Sequence, residues 1–413
     1  MVSFIYNILI TIAGFALRGI ALFNTKIRLF VQGRKDVFTH LKRQIGPGDR
    51  VIWFHTASLG EFEQGLPVIE KIRSEYPGHK VLVTFFSPSG YEVKKHSKAA
   101  DIITYLPLDT RRNVTKFLDI VTPELVVFVK YEFWPNYLAG LKKRKINTVL
   151  ISAIFRKNQA FFRPYGAFMR RSLQTFTHFF VQDEYSGNLL RSIGVDNVTV
   201  SGDTRLDRVA EILQRDNTLE FMDRFKDGQQ CFVAGSTWPE DEELLTELIN
   251  KAPGHLKFAI APHNIKPAHN QALRKAIGKK TILYSEIRQQ NLSNYDVLVI
   301  DTIGLLTRIY HYADIAYVGG GMGNTGLHNI LEPAVFGIPV IIGKNYSKFR
   351  EANELVKLGG VISVSDKSQL LEKTTQLIKK EELIKKTGQI NADYVKKNTG
   401  AVIQILQFLR ILL

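Results

Sequence analysis

The sequence holds a single cysteine, Cys231, in 413 residues. That excludes a disulfide framework and a zinc site assembled from several thiolates, and it suits a reducing compartment. The ten histidines form no His-Glu-x-x-His pattern and meet no close carboxylate cluster, so no bound metal is expected. No cofactor is expected either. Low-complexity tracts and short repeats are absent. The chain is also short of acid: 39 Asp and Glu stand against 55 Lys and Arg, a net charge of +16. The deficit is local, because residues 1–210 hold 30 basic and 17 acidic side chains. The first half therefore faces an anionic partner: a phosphorylated lipid, a membrane surface or a nucleic acid.

The N-terminus selects among these. Phe4 to Leu17 is apolar apart from Asn7 and Thr11, and Arg18 and a second apolar stretch, Gly19–Phe23, follow. A spanning helix needs about 20 residues, so the run is short, although Arg18 could snorkel. It lacks the basic start and small-residue cleavage site of a signal peptide. Residues 1–25 thus read as a membrane anchor, spanning or interfacial. Lys26, Arg28, Arg34 and Lys35 place the body on the cytoplasmic side. Lipid is the expected anionic partner, and nucleic acid is not.

At roughly 150 residues per domain the length allows two or three domains. From residue 51 short apolar runs alternate with amphipathic stretches. Val51–Phe54, Val81–Phe86, Ile102–Leu106, Leu125–Val129, Thr148–Ile154 and Phe179–Gln182 read as buried strands. Phe62, Leu66, Ile69, Ile72 and Tyr76 share one helical face. A charged stretch at 205–228 reads as a connection. The pattern then restarts at Cys231–Ala234, Phe258–Ala261, Thr281–Tyr284, Val297–Ile300, Ile315–Val318, Val340–Ile342 and Val361–Val364. Two α/β domains of Rossmann type, facing each other across a cleft, are expected. The apolar segment 401–413 is expected to pack as a terminal helix.

Ligands of open α/β sheets bind at the carboxyl ends of strands, so the strand-to-helix junctions hold the candidate residues. The first junction ends in Glu61, a first-turn carboxylate able to take a proton from an alcohol; a plain helix-start charge would look the same. The segment 319–326 carries five glycines. It would let backbone amides approach a phosphate, with the following helix aiming its positive end there. Asn329 and Glu332 follow it, and Glu332 could accept hydrogen bonds from a ribose diol. Gly235-Ser-Thr237 offers hydroxyls that could cap a helix. His263 ends one strand, and Gly304 lies just beyond another, where a base or ribose could rest on bare backbone.

Taken in order, several segments resemble the bacterial Kdo transferases, which move 3-deoxy-D-manno-oct-2-ulosonic acid (Kdo) from CMP-Kdo to a lipid A precursor. They are His55–Glu61, Ser87–Gly90, Tyr105–Asp109, Glu132–Asn136, Gly202–Asp207, Gly235–Thr237 and Gly326–Pro333. The resemblance implies an α/β protein of the GT-B fold and an inverting, metal-independent glycosyltransferase of lipopolysaccharide assembly. It also implies an acceptor-binding domain over 26–210 and a CMP-sugar domain over 211–400. The expected partners are the CMP-Kdo donor, the phosphorylated lipid A precursor and the membrane surface. The expected location is the cytoplasmic face of the inner membrane.

Position by position, the resemblance makes Glu61 the general base and Glu132 a carboxylate supporting the transition state. Arg205 stands where the family usually has lysine, a cation offsetting charge on the leaving phosphate. The CMP contacts would be Pro262, His263, Ile303, Gly304, Leu305, Asn329, Ile330, Leu331 and Glu332. Three departures stand out: the usual Pro-Arg-His reads Pro262-His263-Asn264, Met-Gly-Glu reads Ile303-Gly304-Leu305, and the usual first Glu before Glu132 is Lys130. The basic first half equally suits a UDP-sugar transferase acting on another anionic lipid. A sugar-nucleotide epimerase of the same build would need neither anchor nor basic face, and a non-catalytic nucleotide-binding membrane protein would need no turnover.

Overall fold

Strand residues bury both their faces, so each apolar run contributes alternately to two cores. Val51 and Trp53 enter one cluster with Val126 and Phe128, while Ile52 and Phe54 enter another with Leu125, Val127 and Val129. This period of two is what a parallel sheet covered on both sides requires. The computed structural model describes residues 2–413 and resolves two units, Met1–Asp207 with Thr399–Leu413, and Arg208–Asn398.

The first unit contains β1 (Arg50–Thr56), β2 (His79–Phe85), β3 (Ile102–Tyr105), β4 (Leu125–Val129), β5 (Asn147–Ala153), β6 (His178–Val181) and β7 (Val198–Val200). They form one parallel sheet in the order β3-β2-β1-β4-β5-β6-β7. The chain leaves β1 for β2 on one side and returns to β4 on the other. The crevice between the ends of β1 and β4 is therefore the switch point where such sheets bind ligands. Helices Val37–Gln44, Arg111–Val121 and Pro135–Lys143 cover one face, and Leu59–Glu75 and Ala401–Leu412 cover the other.

Helix Ala401–Leu412 returns from the second unit to complete the first. Its Val402, Ile405, Leu406 and Leu409 are buried beside Ile52, Phe54 and Phe62, at roughly 1.5–3 kcal/mol for each such side chain. Asp207 accepts hydrogen bonds from the amides of Gly400 (2.7 Å) and Val402 (3.4 Å) at its start, and Arg410 forks onto Glu75 near its end.

The second unit contains β8 (Gln230–Thr237), β9 (Leu256–Pro262), β10 (Thr281–Leu283), β11 (Val297–Val299), β12 (Ile315–Val318), β13 (Val340–Gly343) and β14 (Val361–Val364). Its parallel sheet runs β10-β11-β9-β8-β12-β13-β14, which puts its switch point between β8 and β12.

Two features add to the sequence reading. Strand β7 was not anticipated: it is a three-residue edge strand, half-buried throughout, with too short an apolar run to signal itself. The charged stretch 205–228, within which the division between the two units falls after Asp207, is also more regular than an extended linker. Helix Thr204–Ala210, a 3₁₀ turn and helix Glu220–Lys226 occupy most of it, and Leu206, Val209, Ile212, Met222 and Phe225 are buried.

The N-terminal helix, Val2–Ile20, contains the one stretch among the described residues long and apolar enough to cross a membrane, Ser3–Ile20. Its partly covered positions are Ser3, Tyr6, Asn7, Ile10, Gly14 and Leu17, a seam of helical period. Tyr6 Oη donates to Asp109 (2.7 Å), Asn136 Nδ2 donates to Asn7 Oδ1 (3.0 Å), and Arg111 donates to Ser3 Oγ (3.2 Å). At Gly14 a Cβ would stand 3.2 Å from Leu108. Phe4, Ile5, Ile8, Leu9, Ile12 and Phe15 on the other faces are exposed.

Candidate active site

Glu61 lies at the β1 end of the first unit's switch point. Ser58 ends the loop after β1 and caps helix Leu59–Glu75: the Ser58 hydroxyl accepts from the Glu61 amide (3.4 Å), and the Glu61 carboxylate accepts from the Ser58 amide (3.0 Å). This reciprocal capping box fixes the carboxylate where the dipole favours its charge. The Ser87–Gly90 motif buttresses the same loop. The Ser87 amide donates to Ala57 O (2.7 Å), and a Cβ at Gly90 would stand 2.8 Å from the Leu59 nitrogen. Glu61 is buried. Burial, and then the negative charge of Glu132, raise its pKa above the ordinary carboxylate value, while His55 and the Ser58 and Ala57 amides oppose the rise. A carboxylate with a raised pKa is a stronger proton acceptor when ionised.

Glu132 comes from the β4 side of the same crevice. Lys130 adopts a left-handed backbone, φ +75°, which turns the chain as β4 ends. Trp134 Nε1 then donates to the Glu132 carboxylate at 2.7 Å, and His55 Nε2 lies 3.2 Å from the same oxygen. His55 is fully buried, its Nδ1 facing the Thr84 hydroxyl (2.8 Å) and the Thr84 carbonyl (3.1 Å). Trp53 Nε1 completes the chain with a bond to Thr84 Oγ1 (2.8 Å). The first-junction motif and the Glu-Phe-Trp-Pro-Asn motif are thus one constellation. His55 and Trp134 were not singled out as site residues, although both lie inside the quoted motifs.

The remaining motifs of this unit brace that constellation. Asp109 accepts from the Asn136 and Tyr137 amides (3.0 and 2.9 Å) and so caps helix Pro135–Lys143, which begins directly after Trp134. Arg205 is held by Asp203, its Nε and Nη2 donating to one carboxylate oxygen at 2.9 and 2.7 Å. Gln64, one turn beyond Glu61, donates to the other oxygen of Asp203 (3.3 Å). Burial works to raise the Asp203 pKa, but Arg205 and these donors hold it below the ordinary value. Arg205 is therefore joined to the Glu61 helix through an ion pair.

In the second unit the predicted residues gather on loops at the carboxyl ends of its strands. Pro262 ends β9. The next residue, His263, stacks on Trp238 with ring centres 4.4 Å apart and lies 4.8 Å from His328. Trp238 Nε1 donates to His328 Nε2 at 3.0 Å. An indole nitrogen can only donate, so His328 is neutral with its proton on Nδ1. Burial, and then His263, lower the His328 pKa, consistent with that form. Trp238 and His328 extend the predicted set.

Glu332 sits beside this ring cluster in sequence. Its two carboxylate oxygens accept from Thr307 Oγ1 (2.8 Å) and Asn329 Nδ2 (3.1 Å), and Asn329 Oδ1 accepts from the Leu331 amide (3.1 Å). Ile330 and Leu331 are buried and anchor the segment. Ile303, Gly304 and Leu305 lie on the loop leading to Thr307. Gly304 has φ +95°, and Ile303 is 84% exposed, an apolar tip at the carboxyl edge of the sheet.

The glycine-rich reading needs revision. Only a four-residue helix, Leu331–Ala334, follows the glycines, too short to aim a useful dipole. A Cβ at Gly319 would meet Ser236 O at 2.4 Å, one at Gly320 would meet Gly326 O at 2.1 Å, and one at Gly321 would lie 3.0 Å from the Gly343 nitrogen. These glycines let the chain's own backbones cross. The Gly320 amide donates to buried Asp241 (2.7 Å), which also accepts from Tyr317 Oη (2.8 Å) and the Trp238 amide (2.9 Å). Ser236 and Thr237 do not cap the helix starting at Pro239; Asp241 supplies that bond.

Two parallel seven-stranded α/β units in one chain define a protein of the GT-B class. Its fold matches UDP-GlcNAc 2-epimerase from Neisseria meningitidis (TM-score 0.61, 20% identity, 87% of this chain and 99% of that one). It also matches MurG from Acinetobacter baumannii (TM-score 0.56, 10% identity, 88% and 99%). Residues 32–208 match the model of the 3-deoxy-D-manno-octulosonic-acid transferase (kdotransferase) family. Similar proteins include the 3-deoxy-D-manno-octulosonic acid transferases of Haemophilus influenzae (28% identity over 88% of this chain and 87% of that one) and Aquifex aeolicus (29% over 84% and 92%). Over most of its length the chain is thus similar to Kdo transferases.

Proposed function

We propose that this protein transfers Kdo from CMP-Kdo to a phosphorylated lipid A precursor such as lipid IVA, with inversion and without a metal. The observation that carries the reading is the buried Glu61, oriented by its capping box at a sheet switch point, its pKa raised by burial and then by the nearby charge of Glu132. In the reaction an acceptor hydroxyl gives its proton to Glu61 while its oxygen bonds to the anomeric carbon of Kdo. The bond from that carbon to the phosphate oxygen breaks, and CMP departs with the electron pair. Attack opposite to departure inverts the centre.

Glu132, held by Trp134 and His55, stabilises the positive character that develops at the anomeric carbon. Arg205 counters charge on the departing phosphate with its positive guanidinium. Residues 26–210 act as the acceptor domain and 211–400 as the CMP-sugar domain. There Pro262, His263 and the Ile303–Leu305 loop flank the nucleotide, and the Asn329–Glu332 segment reaches its ribose. The His263–Trp238–His328 rings supply the stacking surface in a chain that lacks the family's usual arginine after Pro262.

The N-terminal helix anchors the enzyme at the cytoplasmic face of the inner membrane. Its polar seam is used by the domain and its apolar faces are exposed, an arrangement that favours a helix lying in the interface over one that spans. Incubation with CMP-Kdo and tetraacylated lipid A precursor, followed by mass spectrometry, tests the reading. Addition of one or more Kdo masses is expected. A folded protein that leaves the acceptor mass unchanged would refute it.

A further inference from the structure

A cavity of about 1120 Å³ opens in the first unit between helices Arg111–Val121, Pro135–Lys143 and Ala167–Leu173. Arg111, Lys142, Lys143, Arg144 and Arg171 line it, and no Asp or Glu does. Two of the five are committed: Arg144 pairs with Asp119, and Lys142 reaches Gln174 (3.4 Å). Arg111, Lys143 and Arg171 have no carboxylate partner among the described residues. Helix-end electrostatics accounts for Lys142 and Lys143, which sit in a last turn. It does not account for Arg111, the first residue of its helix, where a cation opposes the dipole and no acid offsets it. Like charges converging on one hollow repel unless an anion occupies it.

The place of this hollow points to the anion. Ser3 of the N-terminal helix lines the cavity and bonds to Arg111, and Phe168 on its wall packs its ring against Tyr6 (6.1 Å). Exposed Phe4 and Ile8 follow Ser3 along the same helix on its apolar side. We propose that the cavity binds the phosphodiester headgroup of an anionic glycerophospholipid of the bilayer in which the helix lies. The site is separate from the acceptor site and sets the depth and orientation of the acceptor domain. The inference rests on the interfacial reading of the N-terminal helix.

The full chain is tested on vesicles of phosphatidylcholine alone and of phosphatidylcholine with phosphatidylglycerol. Binding to the neutral vesicles reports the helix, and the increment on the anionic vesicles reports the cavity. Lys143→Ala with Arg171→Ala is expected to leave neutral binding unchanged and to lower the anionic increment tenfold or more. Lys143→Arg with Arg171→Lys should restore it. Lys71→Ala with Lys98→Ala, which removes equal charge from the opposite face of the sheet, should lower the increment by less than threefold. Steady-state kinetics on detergent-dispersed acceptor should be unchanged in the cavity variant. An equal loss in both alanine pairs would reduce the cavity to part of a general basic field and overturn the proposal. A raised KM for the dispersed acceptor would make it an acceptor subsite and overturn it as well. Failure of the unmodified chain to bind neutral vesicles would instead bring down the helix reading, and the proposal with it.

Discussion

Replacing Glu61 with Gln separates its proposed role as base from its role in the cap. Gln at this position keeps an oxygen to accept the Ser58 amide bond (3.0 Å in the native protein), because either Glu or Gln completes a capping box. What it loses is the capacity to take a proton. Removing a general base costs typically 10²–10⁴ in rate, which is about 2.7–5.5 kcal/mol at 1.36 kcal/mol per tenfold. Stability should move the other way. The native Glu61 pKa is raised above its unfolded value, chiefly by burial and then by Glu132. The folded protein therefore binds protons more tightly than the unfolded chain there, and ionising Glu61 costs stability once the pH passes the unfolded pKa. Glu61→Gln should raise the melting temperature at pH 7.5, and the gain should fade as the pH falls toward 4.5. The assay is Kdo transfer by mass spectrometry, with CMP affinity measured by calorimetry as a binding control and thermal unfolding at both pH values. Transfer within threefold of wild type, with the cap intact, would refute the assignment.

Three further outcomes follow from the second unit. Glu332→Ala should raise the CMP dissociation constant tenfold or more, since charge-assisted hydrogen bonds are worth roughly 1.5–3 kcal/mol; an unchanged calorimetric constant would leave Glu332 as the partner of Thr307 and Asn329 only. Trp238→Phe removes the donor to neutral His328 and should cost about 1 kcal/mol. Because the His328 pKa is lowered by burial and by His263, that cost should be full above about pH 6.5 and be lost as the pH falls through the lowered pKa; an undiminished cost from urea unfolding at the lowest pH where the protein stays folded would contradict it. Asp241→Ala strands the Gly320, Tyr317 and Trp238 donors and should destabilise the protein by at least about 3 kcal/mol, read as a fall in the unfolding midpoint.

Most of the fold was legible because the strands are buried on both faces and appear as uninterrupted apolar runs. Strand β7 was not, since three half-buried edge residues leave no run to read. Glu61 was visible from its position at a strand-to-helix junction. Its raised pKa was not, because that depends on Glu132 arriving from another strand and on burial that no local window reports. His55 and Trp134 were hidden for the same reason: their bonds to Glu132 join motifs far apart in sequence. The glycine run misled in an instructive way. Glycine lets backbone approach something closely, and here that something is other backbone at Ser236, Gly326 and Gly343. Composition gives the closeness without naming the neighbour.

Asp109 joins the N-terminal helix to the Glu132 segment, so the proposed membrane anchor and the proposed chemistry would be coupled. One of its oxygens accepts from Tyr6 of the N-terminal helix and from the Asn136 amide, and the other accepts from the Tyr137 amide. The same buried carboxylate thus holds the N-terminal helix and caps the helix that begins directly after Trp134. Trp134 in turn holds Glu132 at 2.7 Å. A shift of the N-terminal helix would withdraw a hydroxyl donor from Asp109 and reach the carboxylate pair through a single cap. The seam of Ser3, Tyr6, Asn7 and Gly14 is therefore more than a place to rest an anchor. An anchor needs only apolar surface, and this helix has that on its exposed side. Under the proposed function, the polar residues on its inner side would fix the height and angle of the domain that carries Glu61 and Glu132.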